Sequence, residues 1–242
     1  MYTILIAAAV IPAVILLVKV YQADRLEKEP FGLMLSLVFL GIISTSLAAL
    51  TEQIGDAFLS QYLAEESILY KALMYFVVVA LSEEGFKYLL LKFRTWNNPN
   101  FNYRFDGVVY AVFVSLGFAL WENIGYVMMY GMGVAAVRAI TAVPGHACFG
   151  VFMGVWYGVA KQYDLAGLSG ISRKYRKGAL WVPVILHGLY DFIASLDAEY
   201  MTLVFMAFIG ILFFASIRLV KKASAQDEQL MREEERIDYL DE

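Results

Sequence analysis

Seven stretches of the chain, approximately 2–21, 31–50, 70–91, 107–130, 134–160, 179–196 and 200–220, are continuous apolar runs. Each is close to the roughly 20 residues that a helix needs to cross a bilayer. The runs do not alternate apolar with polar residues, as strands of a membrane barrel would. The chain has 242 residues, is 60% hydrophobic and is only 17% charged. Of its 42 charged side chains, 12 fall in the last 22 residues. The rest of the chain is far poorer in charge than soluble domains, where about a quarter of residues are charged. A soluble enzyme, a disordered chain and a disulfide scaffold are excluded, the last because Cys148 stands alone. The basic residues are scattered, which gives no footprint for nucleic acid. The expected fold is all-α: a polytopic bundle of about seven transmembrane helices.

The first run is read as a true span and not a signal peptide, because no basic residue precedes Lys19. With the N-terminus outside, 16 of the 19 basic residues fall in cytosolic stretches. Only Lys71 and Arg138 lie outside, and Lys87 is within a span. The positive-inside rule therefore places the N-terminus out and the C-terminus in the cytosol. The loop 51–69 falls on the outer side. Residues 1–220 form the membrane domain. Residues 221–242 form a polar cytosolic tail, expected to be helical because Glu228 and Arg232 are one turn apart.

Ionisable groups inside a bilayer cost several kcal/mol unless paired or wet, which makes each one a candidate for function. The third span carries Glu83, Glu84 and Lys87. Glu83 and Lys87 are at i,i+4 and share a face. Glu84 is about 100° further round, so lysine can hold one carboxylate while the other stays free. The fourth span carries Glu122, with Phe118 one turn earlier as packing and Asn123 beside it. Glu122 has no basic residue within a turn, so it needs a proton, another helix or a metal. In the fifth span, Pro144 and Gly145 predict a break just before His146. Gly150, Gly154 and Gly158 continue from His146 as a close-packing stripe. Arg138 is placed at the outer interface or at the site. The sixth span carries His187 and Asp191 on one face. His146 and His187 are the chain's two histidines.

Two histidines with carboxylates can bind zinc, and Glu122, His146 and His187 are the expected ligand set. A glutamate beside the zinc water can act as base. Without a metal, a buried glutamate can deprotonate water itself, with a histidine or Asn123 stabilising the oxyanion. Both schemes hydrolyse a peptide bond inside the membrane, and the sequence leaves the choice open. A proton- or cation-coupled transporter and a noncatalytic scaffold are the competing functions. No inverted repeat supports the transporter.

The series Glu83-Glu84-Gly-Phe-Lys87, Phe118-Ala-Leu-Trp-Glu122 and His187-Gly-Leu-Tyr-Asp191 resembles the PrsW family of bacterial intramembrane proteases. The stretch from Asp24 to Pro30, the run Phe105-Asp106-Gly107 and the triplet Pro144-Gly145-His146 are similar as well. The resemblance implies kinship with the superfamily of CAAX prenyl-protein endopeptidases and bacteriocin-immunity-type membrane proteins. Glu122 and Asp191 resemble PrsW more than relatives with histidine or asparagine in the later motifs. It implies a multi-pass protein of the bacterial plasma membrane that makes the first cut in a membrane-anchored, anti-sigma-factor-like single-pass substrate. Glu83, Glu84, Glu122, His146, His187 and Asp191 are the matching catalytic candidates, supported by Lys87. The family is grouped with metalloproteases, and a metal-free glutamate mechanism has also been considered for the superfamily. Counted from the inner ends of the spans, Glu84 and His187 come out at about 12 Å depth and His146 and Glu122 near 20 Å. One shared site therefore requires helix tilt, the break at Pro144 or shifted helix boundaries to close that gap.

Overall fold

The computed structural model describes residues 2–230. Its helices are α1 (Tyr2–Ala23), α2 (Phe31–Leu59), α3 (Ile68–Leu73), α4 (Leu81–Thr95), α5 (Asp106–Tyr130), α6 (Met132–Ile140), α7 (Ala142–Leu165), α8 (Ser169–Ala194) and α9 (Glu199–Ala225). A π-helical stretch, Met74–Ala80, joins α3 to α4 in one continuous run. The expected seven helical segments are present, with no strand among the described residues. Five stretches are long and apolar enough to cross a membrane: α1, α2, α5, α6 with α7, and α9. The run from Ile68 to Thr95 and helix α8 are equally long. They carry Glu83, Glu84 and Lys87, and the basic half around Arg173–Lys177, which lowers their apolarity.

Helix α5 is the centre of the bundle, packed against α7, α2 and α1. Every residue from Phe105 to Ala119 is buried, as expected of a helix that is apolar all round. The glycine stripe of α7 makes this packing possible. A Cβ at Gly154 would stand 2.4 Å from the Val108 Cα, and one at Gly158 would stand 2.2 Å from the Arg104 carbonyl oxygen. Gly41 and Gly117 do the same between α2 and α5. The outer faces of α1 and α9 expose large apolar side chains such as Ile4, Ile11, Leu203 and Ile211. These faces suit lipid.

Three boundaries differ from the sequence reading. Helix α2 runs to Leu59, so Thr51 and Glu52 are helical and do not begin a loop. Helix α8 begins at Ser169, ten residues before the expected span, because its basic first half continues the helix beyond the apolar part. The fifth span is broken at Thr141, three residues before Pro144, where the chain leaves helical geometry (φ −119°, ψ −74°). Gly131, at φ +83°, makes the turn from α5 into α6.

One end of the bundle collects the turns that carry most basic residues. There Ser224 donates to the Ala23 carbonyl and Asn102 Nδ2 donates to Glu27, 2.9 Å away. Lys161 donates to the Trp96 carbonyl at 2.8 Å. Residues 221–225 of the expected tail complete α9, and the chain leaves the helix at Gln226. Residues 226–230 run extended along 102–105, with Arg104 paired to Glu228 at 3.1 Å and Leu230 N bonded to the Asn102 carbonyl. Burying Leu230 in the main core favours this path over a solvated helix. The expected Glu228–Arg232 pair falls partly outside the described residues.

Candidate active site

The EExxK segment opens α4, directly after the π-helical stretch. Its glutamates and lysine point into the bundle: Glu83 is 5% exposed, and Glu84 and Lys87 are fully buried. Lys87 Nζ lies 2.8 Å from Glu84 Oε1 and 3.2 Å from Glu83 Oε2. The lysine thus holds both carboxylates, not one of them. It also reaches His146 Nδ1 at 3.1 Å and sits 3.8 Å above the Phe118 ring. Phe118 is therefore a cation–π platform, a role that its apolar surroundings in the sequence conceal.

The two histidines meet from α7 and α8, with ring centres 5.3 Å apart. His187 Nδ1 is 2.9 Å from Glu84 Oε1, and its Nε2 is 3.2 Å from Asp191 Oδ2. His146 Nε2 is 3.0 Å from Glu122 Oε2. Phe149 stacks on His187 with centroids 4.7 Å apart and fixes the ring plane. The depth mismatch closes for His187 because α8 starts at Ser169. His187 is 18 residues into that helix, about 27 Å by helical rise. His146 is 19 residues from the end of α7, about 28 Å. Glu84, 11 residues from the end of α4, still counts to about 16 Å and meets His187 because the helix ends lie at different levels. All seven sequence candidates join one connected network.

Glu122 finds its partners on other helices. Besides His146, it accepts from Arg138 Nη2 of α6 at 2.6 Å. Arg138 Nε also donates to Asn123 Oδ1 at 3.0 Å, and Asn123 Nδ2 donates to the Ala9 carbonyl at 2.8 Å. Both ends of the Asn123 amide are thereby committed, so it is locked away from oxyanion stabilisation. Arg138 belongs to the site and not to the outer interface.

Glu52 was hidden by the expected loop. Its Oε1 is buried without a hydrogen-bond partner, and it feels the charges of Glu122, His187, Lys87 and Asp191. The signal for it lies in α2, where Gly41, Thr45 and Ala48 form a buried stripe that Glu52 continues at helical spacing.

The closest set of donor atoms belongs to Glu83, Glu84, His146 and His187, all within 4.8 Å of one another. Glu122 is outside this group and stands behind His146. The set suits a divalent metal on three counts. It mixes imidazole nitrogen with carboxylate oxygen, which zinc accepts. Each histidine turns one nitrogen inward and the other to a carboxylate, Glu122 or Asp191, the usual outer support of a metal-binding histidine. Among the described residues, Glu83, Glu84, Glu122 and Asp191 pair with Lys87, Arg138 and the two histidines, so with neutral histidines, as a metal requires, the site has more carboxylates than cations. Glu84 Oε2 is also buried without a partner. Lys87 bonds three of the four donors and would compete with a metal for their lone pairs.

Residues 29–217 match the model of the family described as PrsW family intramembrane metalloprotease. The chain belongs to the PrsW family.

The protease PrsW of Geobacillus kaustophilus is 35% identical over 90% of this chain and 92% of its own length. Those of Bacillus subtilis (33%; 90% and 95%) and Oceanobacillus iheyensis (32%; 91% and 96%) are similarly related. No solved structure matches the chain. As a PrsW-family member the chain is an intramembrane protease, and the buried cluster of Glu83, Glu84, His146 and His187 could hold the family's metal.

Proposed function

We propose that this protease makes the first cut in a membrane-anchored, anti-sigma-factor-like single-pass protein, using water activated by Glu84. The observation that carries this reading is the asymmetry of the Glu84 carboxylate. Oε1 is held by Lys87 and His187, whereas Oε2 is buried and unpartnered. A carboxylate fixed at one oxygen and free at the other is oriented to accept a proton from water. The water oxygen then attacks the scissile carbonyl carbon. The Lys87 ammonium has its three N–H groups on Glu83, Glu84 and His146, so it would favour the developing oxyanion through its charge and not as a direct donor. Glu84 returns its proton to the departing amine as the carbon–nitrogen bond breaks.

His146, His187 and Glu83 would hold a zinc ion, with Glu122 and Asp191 orienting the rings. A bound zinc would polarise the substrate carbonyl and acidify the attacking water. The role of Glu84 is the same with or without it. An apolar groove of about 760 Å³ between α1, α6, α7 and α9 is lined by Pro144 and Ala147, which flank His146 in sequence, and would accommodate an apolar substrate segment. The protein sits in a bacterial plasma membrane with its N-terminus outside and its C-terminus cytosolic, as the 16 basic residues on one side support. Residues 221–242 would lie on the cytosolic side. The wider kinship with CAAX endopeptidases and bacteriocin-immunity-type proteins rests on motif order alone.

Co-expression with a tagged single-pass substrate tests the mechanism. Glu84→Gln is expected to insert normally and leave the substrate uncut. Wild-type cleavage by that variant would sink the proposal.

A further inference from the structure

The Asp24–Pro30 stretch and the Phe105-Asp106-Gly107 run take no part in the network around Glu84. They meet at the basic end of the bundle. Asp24, Glu29 and Asp106 are 1%, 2% and 0% exposed. Each is close enough to the other two to feel their charges. None of the ion pairs among the described residues involves them. The nearby basic groups point elsewhere. Lys28 donates to the carbonyls of Tyr21 and Asp24, and Arg104 pairs with Glu228. Tyr110, which neighbours Glu29, donates to the Asn100 carbonyl.

The oxygens of this cluster are divided in a consistent way. Asp106 Oδ2 accepts the backbone N–H groups of Asn102 and Tyr103, at 3.1 and 2.7 Å. Asp227 Oδ1 accepts those of Phe105 and Glu228, at 2.8 and 3.0 Å. Their other oxygens, Asp106 Oδ1 and Asp227 Oδ2, are buried without partners. So are Asp24 Oδ2, Asn102 Oδ1 and both oxygens of Glu29. Backbone bonds thus fix two carboxylates, while six buried acceptor atoms have no hydrogen-bond partner among the described residues. Burial pushes the Glu29 carboxyl up to about 7, and that of Asp24 to about 6 against the opposing charge of Lys28.

We propose that Asp24, Glu29 and Asp106, flanked by Asn102 and Asp227, form a second cation site, which takes a hydrated Mg²⁺ ion. An all-oxygen donor set selects a hard divalent cation over zinc. Among such cations Mg²⁺ keeps several waters and is bound through few carboxylates. The cation would tie the α1–α2 turn to the start of α5 and to the extended segment 226–230. It would thereby anchor the helix that carries Phe118 and Glu122.

The test is thermal unfolding of the full-length protein in detergent after EDTA treatment, with MgCl₂, CaCl₂ or choline chloride at equal ionic strength. Mg²⁺ is expected to raise the Tm saturably, and choline is not. Glu29→Gln should move the Mg²⁺ midpoint about tenfold or more to higher concentration, as lost support of a bound metal does. His146→Ala and His187→Ala should leave that midpoint unchanged. Because Glu29→Gln removes a buried unpaired carboxylate, its metal-free form should melt no lower than metal-free wild type. The proposal is overturned by an absent Mg²⁺ effect, by a response to Ca²⁺ alone, or by equal midpoints in wild type and Glu29→Gln. A metal-free Glu29→Gln protein that melts lower would overturn it too, and would assign the cluster to protons shared between carboxyls. If Glu29→Gln does not accumulate, Mn²⁺ bound to wild type is followed by electron paramagnetic resonance. Displacement by Mg²⁺ in a His146→Ala background supports the site, and no bound Mn²⁺ there rejects it.

Discussion

His187 Nδ1 lies 2.9 Å from Glu84 Oε1, joining α8 to α4 across 103 residues of sequence. On the far side of the same ring, Nε2 is 3.2 Å from Asp191. The ring is therefore held at both nitrogens, and its plane is set by stacking on Phe149. A histidine fixed in this way at the heart of a membrane protein carries its orientation from three helices.

Lys87 is the only lysine in contact with Glu83 and Glu84 among the described residues. Replacing it with methionine keeps the volume and removes the charge. Two buried carboxylates are then uncompensated, a loss of about 3–5 kcal/mol for breaking a buried pair. Thermal unfolding of Lys87→Met should show a large drop, partly recovered in Lys87→Met/Glu83→Gln. Unchanged stability in the single variant would mean that the carboxylates do not depend on the lysine.

Metal content separates the inner donors from their support. Purified wild type is expected to carry a stoichiometric metal ion, which His146→Ala and His187→Ala lose. Glu122→Gln should retain the ion with affinity weakened about 10–100-fold, because Glu122 only orients His146. Elemental analysis after graded chelator dialysis gives the order of loss. Metal-free wild type with full activity would leave hydrolysis to Glu84 and Lys87 alone.

Arg138 bonds Glu122 and Asn123 through different nitrogens of one guanidinium. A lysine supplies a point charge and cannot reproduce that fork. Arg138→Lys should therefore lower the cleavage rate at saturating substrate, and Arg138→Ala should lower it further. Substrate affinity is expected to change little in either, since Arg138 acts through Glu122. A rise in KM with unchanged kcat would assign Arg138 to substrate binding instead.

Two glycines give a paired test of the packing. Gly154→Ala places a Cβ 2.4 Å from the Val108 Cα. Backbone must then shift, and overpacking of this kind typically costs about 1–3 kcal/mol. Gly125→Ala, on α5 with nothing within 4 Å, should be neutral or stabilising by up to about 1 kcal/mol. Equal effects on Tm would show that the α5–α7 contact is looser than the glycine stripe implies.

Much of the architecture was legible because the bilayer leaves a chain few options. Continuous apolar runs must become helices, since every buried backbone group needs an internal partner. Rare intramembrane charges must find partners, so Glu83, Glu84, Lys87, Glu122, His146, His187 and Asp191 stood out as a set. The glycine spacing from His146 also announced a close helix contact, which α5 supplies.

Tertiary structure decided what those residues do to one another. Helical spacing gives angles on one helix but not the height of one helix against the next. It could not reveal that Lys87 reaches His146, that Arg138 locks Asn123, or that Glu122 lies behind His146. Helix ends were obscured for a related reason. Polar residues can extend a helix beyond its apolar stretch, which hid Glu52 in an expected loop and displaced the start of α8. Composition thus determined the solvent and selected the few charged residues that oppose it. Only the packing of α4, α5, α7 and α8 turned those residues into a site, because contacts between helices depend on offsets that no single helix encodes.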